Sequence, residues 1–332
     1  MNSETDIDLF KEQNKTSSTQ AHCRAGRQSW LTILAELDCK PLHLVTFATR
    51  TPNFMTTPST RAMLAGRIEQ ANDPESKAAC VNDFISDFVS IDHNSVFWGD
   101  RLLTLDKSAG FLKDPQFFKA FQSILGNHVY DQYSGPQSVA WRLHTLVWAA
   151  TEAMHLDGDF MECGTFKGDF AWVITQCVDI PSRAKRLYLY DSFDGLDDSQ
   201  TREDDYVLNP NYAKIANEAY QEPGIYEHVC KRFKDMPHVE VTKGFLPGML
   251  TEVCPEKISF LHIDLNSPEA ERATLSFLWP RIVDGGIVVF DDYGWLFFEK
   301  QKAAVDAVAE GFFHTILELP SGQGLLVKRA SV

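Results

Sequence analysis

Three aspartates stand at the ends of two apolar runs late in the chain. Leu261-His262-Ile263 leads into Asp264, and Val289-Phe290 leads into Asp291-Asp292-Tyr293-Gly294. If these runs are neighbouring strands, about 4.8 Å apart, three carboxylates meet in one corner. Like charges that close are unfavourable unless a proton or cation lies between them. Hard oxygen ligands at strand ends suit Mg²⁺, Mn²⁺ or Ca²⁺; helix capping and solvated loop acids are the alternative. Zinc is disfavoured, because no pair of histidine or cysteine ligands stands nearby, and His262 reads as a buried, orienting residue.

Two earlier runs also end in acids. The first is Phe160-Met161-Glu162-Cys163, continuing Gly164-Thr165-Phe166-Lys167-Gly168. A carboxylate at Glu162, near the end of a central strand, is costly without a partner; a cofactor's ammonium would serve. Gly164 allows a sharp turn and close approach of a ligand, although an ordinary strand-to-helix turn asks for the same residue. The spacing is G-x-x-x-G, not the dinucleotide G-x-G-x-x-G. After Leu187-Tyr188-Leu189-Tyr190 comes Asp191-Ser192-Phe193-Asp194-Gly195-Leu196. Asp191 is placed either to accept the two hydroxyls of a nucleoside ribose, common to NAD and S-adenosylmethionine, or to cap its own turn. In Lys243-Gly244-Phe245-Leu246-Pro247-Gly248, Phe245 either flanks an adenine or packs. Gln323, in Ser321-Gly322-Gln323-Gly324, and Tyr293 are candidate substrate contacts; a plain glycine turn explains the former equally well.

The elements that would position these residues follow from periodicity. Short apolar runs at 160–163, 187–190, 239–242, 259–263, 287–290, 315–319 and 325–327 alternate with helical patterns at 168–179, 268–279 and 298–310, after a helix at 138–154. Such alternation predicts an α/β fold with a mainly parallel sheet covered on both faces. Only Pro320-Ser321-Gly322-Gln323-Gly324 joins the last two runs, too few residues for a parallel crossover, so these strands are antiparallel neighbours. A seven-stranded Rossmann-like sheet ending in an antiparallel hairpin is the class I methyltransferase arrangement. Ligands there sit beyond the carboxyl ends of the strands, where the strand order reverses.

Ahead of this domain (138–332), residues 1–25 are polar and read as a flexible start. Residues 26–137 read as a mainly helical cap or oligomerisation region without strand alternation. Helical spacing runs over 29–37, 60–70 and 77–89, and Asp114-Pro115 opens a helix over 116–125 as N-cap and first-turn proline. The aromatics Phe47, Phe54, Phe97, Trp98, Phe111, Phe117, Phe118 and Tyr133 are either core or the wall of a greasy acceptor pocket. Tyr130, Tyr133 and the segment up to Trp141 are candidates for a homo-oligomer contact.

Composition bounds the function. The 332 residues are 44% hydrophobic and 23% charged, with 31 basic against 46 acidic side chains and a net charge of −15. That excludes a disordered, collagenous or disulfide-stapled chain, and the acidity argues against nucleic-acid and membrane-surface partners. The seven cysteines (Cys23, Cys39, Cys80, Cys163, Cys177, Cys230 and Cys254) contain no C-x-x-C pair and read as reduced thiols of a cytoplasmic protein. Neither a secretory h-region nor an apolar stretch of about 18 residues is present.

Taken together and in order, the motifs from Ser138 to Arg329 resemble the macrocin O-methyltransferase (TylF/MycF) family, metal-dependent S-adenosylmethionine enzymes of natural-product tailoring. The resemblance implies a cofactor site at Glu162, Gly164, Thr165, Asp191, Ser192, Gly244 and Phe245. It implies a metal, Mg²⁺ or alternatively Mn²⁺ or Ca²⁺, on Asp264, Asp291 and Asp292, with Asp264 also the general base. The reaction implied is methyl transfer to a hydroxyl of a sugar or of a polyketide- or peptide-derived small molecule. Two positions depart from the family pattern: Asn266 and Pro268 replace its acid and aromatic. An NAD-dependent oxidoreductase would share the sheet and the ribose acid, but the glycine spacing and the acid cluster speak against it. A non-catalytic methyltransferase-like scaffold would have no need to keep mutually repelling carboxylates.

Overall fold

A computed structural model describes residues 96–125, 138–206 and 211–330. The polar start, the helical patterns at 29–37, 60–70 and 77–89, and Phe47, Phe54, Tyr130 and Tyr133 lie outside those residues.

The first described element is a strand pair, in a region where the sequence shows no strand alternation. Strands β1 (Val96–Gly99) and β2 (Leu102–Leu105) pair as an antiparallel hairpin. Its two-residue turn is Asp100-Arg101, with φ of 52° and 59°. Hairpin turns with both central residues left-handed ordinarily use Asn-Gly or Asp-Gly. Without a glycine, and with only four residues per strand, the hairpin carries almost no sequence signature. Helix α1 (Pro115–Gln122) starts as expected: the Asp114 carboxylate accepts from the backbone N–H groups of Gln116 (2.8 Å) and Phe117 (2.9 Å). Hairpin, α1 and helix α2 (Ala140–Ala153) share a cluster of Phe97, Phe117, Phe121, Ile124 and Leu143.

The remainder alternates: β3 (Asp159–Cys163), α3 (Asp169–Cys177), β4 (Leu187–Asp191), α4 (Tyr212–Tyr220), α5 (Ile225–Phe233), β5 (Val239–Lys243), β6 (Ile258–Ile263), α6 (Pro268–Leu278), β7 (Ile282–Phe290), α7 (Glu299–Gly311), β8 (Leu317–Glu318) and β9 (Gly324–Val327). The seven-stranded sheet has the order β5-β4-β3-β6-β7-β9-β8. All its pairings are parallel except β7–β9 and β8–β9, which is the class I methyltransferase arrangement. Strand β6 is buried along its whole length, Ile258 to Ile263, as a strand covered on both faces must be. Alternate residues feed opposite cores. Phe160 and Phe260 pack with Leu146, Ile174 and Val229 from α2, α3 and α5; Met161 and Leu261 pack with Leu275, Leu278 and Val305 from α6 and α7. No helix among the described residues is long and apolar enough to cross a membrane.

Register carries this fold to its chemistry. Tyr190 pairs with Cys163, Cys163 with Ile263, and Ile263 with Phe290 across β4, β3, β6 and β7. The next residue of each strand therefore stands in one row: Asp191, Gly164, Asp264, Asp291. Strand order reverses between β3 and β6, between Gly164 and Asp264. The row is tied by Gly164 N–H to the Tyr190 carbonyl (2.8 Å), Asp264 N–H to the Cys163 carbonyl (2.8 Å) and Asp291 N–H to the Ile263 carbonyl (3.0 Å). Gly164 has φ 89°, and a Cβ there would lie 1.8 Å from the Asp264 carbonyl oxygen. Gly164→Ala therefore combines a left-handed penalty of about 1–2 kcal/mol with an overpacking cost of about 1–3 kcal/mol. The expected result is a melting temperature lower by about 3–7 °C, read by scanning calorimetry; an unchanged melting temperature contradicts the close approach.

Candidate active site

Asp264 and Asp291 meet as the register requires. Together with His262 they offer ligand atoms that all lie within 4.8 Å of one another. Asp264 Oδ1 accepts from Asn266 Nδ2 at 3.1 Å, so Oδ2 is its free face. Burial, then the charges of Asp291 and Asp292, hold the Asp264 carboxyl well above the usual carboxylate range.

The strongest partner of these acids is a residue the sequence reading did not single out. Arg142, on α2 and 8% exposed, donates from Nη1 to Asp291 Oδ2 at 2.5 Å and to Asp292 Oδ1 at 3.0 Å. Its Nε donates to Asp100 Oδ2 at 2.5 Å, on the β1–β2 turn. Burial opposes the charge on the guanidinium, but Asp291, Asp100 and Asp292 outweigh it and hold Arg142 charged. Burial would likewise raise Asp291; Arg142 and His262 reverse that and depress it below its ordinary value. Asp292 is pushed up to about 6 by burial, with Arg142 pulling down and Asp291 and Asp100 pushing up.

Three expected roles need correction. Glu162 is 1% exposed and its partner is internal: His262, its in-register neighbour, lies with Nδ1 3.0 Å from Glu162 Oε2. His262 Nε2 is 3.7 Å from Asp291. Burial disfavours a charged imidazole, but Asp291 and Glu162 together push His262 up to about 10. The group whose ligand atoms converge is thus His262, Asp264 and Asp291, and Asp292 joins Asp291 through the shared Nη1 of Arg142. Glu162 and Thr165 sit behind the cavity wall, outside its lining residues. Tyr293 is also turned away: it is 3% exposed, its hydroxyl donates to Asp306 at 2.6 Å, and Lys302 Nζ lies 3.5 Å from its ring centroid. Gln323 is fully buried and donates to Asp291 Oδ1 at 3.0 Å. Strand β9 pairs Gly324 with Phe290, so Gln323 stands beside Asp291 and holds it.

Beside the acid corner opens a cavity of about 800 Å³, in the upper part of the range for ligand pockets. Gly164, Asp191, Ser192, Gly244 and Phe245 line it, together with Asp264, Asp291, Asp292 and Arg142. The Asp191 carboxylate already works for the backbone. Oδ2 accepts from Phe166 N–H at 2.7 Å and Oδ1 from Phe193 N–H at 2.6 Å. Both phenylalanines are left-handed, with φ 46° and 49°. A carboxylate has about four lone-pair sites, so each Asp191 oxygen can still accept a hydroxyl. Asp191 caps its turn and faces the cavity at once. The apolar wall comes from Tyr212, Ile215 and Tyr220 on α4 and from Phe297 and Phe298, none of them anticipated.

Comparison with known proteins follows the same stretch of chain. The model of the macrocin O-methyltransferase (TylF) family matches residues 140–310, just over half of the chain. The mycinamicin III 3''-O-methyltransferase of Micromonospora griseorubida is 27% identical over 162 residues, 46% of this chain and 62% of that protein. The demethyldecarbamoylnovobiocin O-methyltransferase of Streptomyces niveus is 26% identical over 146 residues, 42% of this chain and 54% of that protein. The match thus spans less than two thirds of either relative's length. The structure of the O-methyltransferase NovP aligns over 57% of this chain and 80% of its own, at 22% identity and a TM-score of 0.47. Since the family model runs unbroken from the helix of Arg142, through Gly164 and Asp191, to the acids at 264, 291 and 292, this chain belongs to the macrocin O-methyltransferase family.

Proposed function

We propose that the chain is an S-adenosylmethionine-dependent, divalent-metal-assisted O-methyltransferase acting on a hydroxyl of a small natural product. The observation that carries this reading is the row Asp191, Gly164, Asp264, Asp291 at the reversal of strand order, opening on one cavity. The curated relatives methylate oxygen, and a sugar, polyketide or peptide-derived acceptor fits a cavity walled by Tyr212, Ile215, Phe297 and Phe298.

The nucleoside end of the cofactor belongs with Asp191, whose oxygens retain acceptor capacity, and with Gly244 and Phe245. S-adenosylmethionine would bring an electrophilic sulfonium methyl group. The acid corner fits a hard cation by its oxygen donors: Asp100, Asp291 and Asp292 pair with the Arg142 guanidinium, and Asp264 brings a fourth carboxylate within 4.8 Å of Asp291 and His262. Asp264, Asp291 and Asp292 would hold a divalent ion, which would supply Lewis acidity toward the acceptor hydroxyl. Asp264 takes the hydroxyl proton on its free Oδ2. Asn266 donates to Oδ1 of that carboxylate, and in-line attack, which would form the O–CH3 bond as the sulfonium S–CH3 bond breaks to leave S-adenosylhomocysteine, would need the acceptor oxygen about 3 Å from the methyl carbon.

The test is calorimetric titration of S-adenosylhomocysteine into the full chain, with Mg²⁺ and again in excess chelator. Binding is expected in both conditions, since Asp191 and Gly244 make no use of metal. Absence of binding in both removes the methyltransferase reading.

A further inference from the structure

Arg142 occupies the acids that, on the reading above, hold a divalent ion. We propose that Arg142 is a built-in competitor for that ion, and that Asp100 is the second seat that lets it yield. The proposal rests on the metal reading of the corner and adds a residue that sets the affinity.

One nitrogen of Arg142 bridges Asp291 and Asp292 at 2.5 and 3.0 Å. A guanidinium cannot discharge at any working pH. A divalent ion on the same carboxylates therefore meets a fixed positive charge, and each cation weakens the hold of the other. The guanidinium has somewhere to go. Its Nε is already on Asp100 at 2.5 Å, and its carbon lies 5.0 Å from the ring centroid of Trp295, a cation–π seat. Asp100 is absent from the proposed donor set, so its pair with Arg142 survives when Asp291 and Asp292 turn to a metal. The turn that supplies Asp100 has two successive non-glycine residues in left-handed conformation. Strain of that kind persists where the surrounding structure and function require it, and here it delivers Asp100 to the guanidinium.

Metal binding can be read without turnover. Mn²⁺ is titrated into the full chain with S-adenosylhomocysteine present, and free Mn²⁺ is followed by electron paramagnetic resonance. Arg142→Met keeps the apolar stem and removes the charge; it is expected to bind Mn²⁺ at least about 10-fold more tightly than the native chain. A merely structural arginine would give the opposite sign, because its loss would disorder Asp291 and Asp292. Asp100→Asn takes the charge from the second seat, leaving Nε only a neutral amide acceptor, and is expected to weaken Mn²⁺ binding several-fold. Equal or weaker binding by a folded Arg142→Met chain overturns the proposal and leaves the metal reading standing. If that variant does not fold, Asp100→Asn decides, and unchanged or tighter binding overturns the proposal. Mn²⁺ bound by Arg142→Met and not by the native chain supports it. Mn²⁺ bound by neither overturns the metal reading, and the proposal with it.

Discussion

Asp264→Asn is expected to lower kcat by about 10³-fold while leaving S-adenosylhomocysteine affinity within about threefold of the native value. General-base catalysis contributes about 10²–10⁴-fold, and this substitution removes the base together with one carboxylate of the proposed metal set. Asparagine occupies the same volume, and its amide oxygen can still accept from Asn266 Nδ2, as Asp264 Oδ1 does at 3.1 Å. The β6 end should therefore keep its shape. The nucleoside side of the cavity, at Asp191 and Gly244, does not depend on Asp264. The split between lost turnover and kept cofactor binding is what separates a base from a structural acid. Burial with Asp291 and Asp292 nearby raises the Asp264 carboxyl. A base must be unprotonated to act, so the native rate should climb with pH along its acid limb. The residual rate of the variant should not follow that limb. Native kcat in Asp264→Asn would remove both the base and the metal role of this residue.

How much of this was legible in the sequence depends on distance along the chain. Asp191, Gly164, Asp264 and Asp291 are each the first residue, or nearly so, after a run that is apolar because both faces of the strand are covered. Their shared row needs only parallel pairing in the usual register. The antiparallel end of the sheet followed from the five-residue connection at 320–324. Partnerships across the sheet were not legible. Glu162 and His262 look like separate buried polar residues until β3 and β6 are paired, whereupon each is the other's counter-group. Unpaired in the sequence, Glu162 calls for an external ammonium; paired in the sheet, it has His262. Gln323 and Tyr293 were placed at the rim by proximity along the chain. Both stand in turns just outside the strands, where no periodicity fixes direction, and the fold turns Gln323 onto Asp291 and Tyr293 into the core beneath Lys302.

Arg142 was the larger omission, and a signal for it exists. Ala140, Leu143 and Leu146 are fully buried on α2, and an arginine among such neighbours must find carboxylates or face a large desolvation cost. Its partners lie 42, 149 and 150 positions away, so the sequence can pose the question without naming them. The β1–β2 turn poses none, because Asp100-Arg101 lacks the glycine that marks such turns. The α4 wall is equally silent: Ala216 is the sole buried residue of that helix, and its aromatic and aliphatic side chains face a cavity instead of a core.

Asp191→Asn is expected to weaken S-adenosylhomocysteine binding by at least about 100-fold, although the side chains are nearly isosteric. The reason is the count of acceptors. Both Asp191 oxygens receive backbone N–H groups, from Phe166 at 2.7 Å and Phe193 at 2.6 Å. Asparagine offers one oxygen, and its amide nitrogen must then face an N–H donor. One turn loses its partner whichever way the amide is rotated. An unsatisfied buried donor costs about 1–3 kcal/mol, and here it falls on a left-handed phenylalanine that the hydrogen bond was holding. The affected turn forms the cavity wall on one side or the other, through Phe166 or through Ser192 and Gly195. The ribose loses an acceptor in the same stroke, at about 1.5–3 kcal/mol for a hydrogen bond to a charged group. The lost ribose hydrogen bond alone, at 1.4 kcal/mol per factor of ten, is worth about 10- to 150-fold, and displacement of the turn that walls the cavity adds to it, whereas the unsatisfied donor itself lowers the melting temperature. Asp191→Glu keeps the charge but moves it by a methylene, so both turns lose their geometry and binding should fall as well. Calorimetry with both variants decides between the two functions of this carboxylate. If Asp191→Asn melts at a lower temperature yet binds S-adenosylhomocysteine as the native chain does, Asp191 is a turn cap alone, and the nucleoside must be sought elsewhere along the cavity.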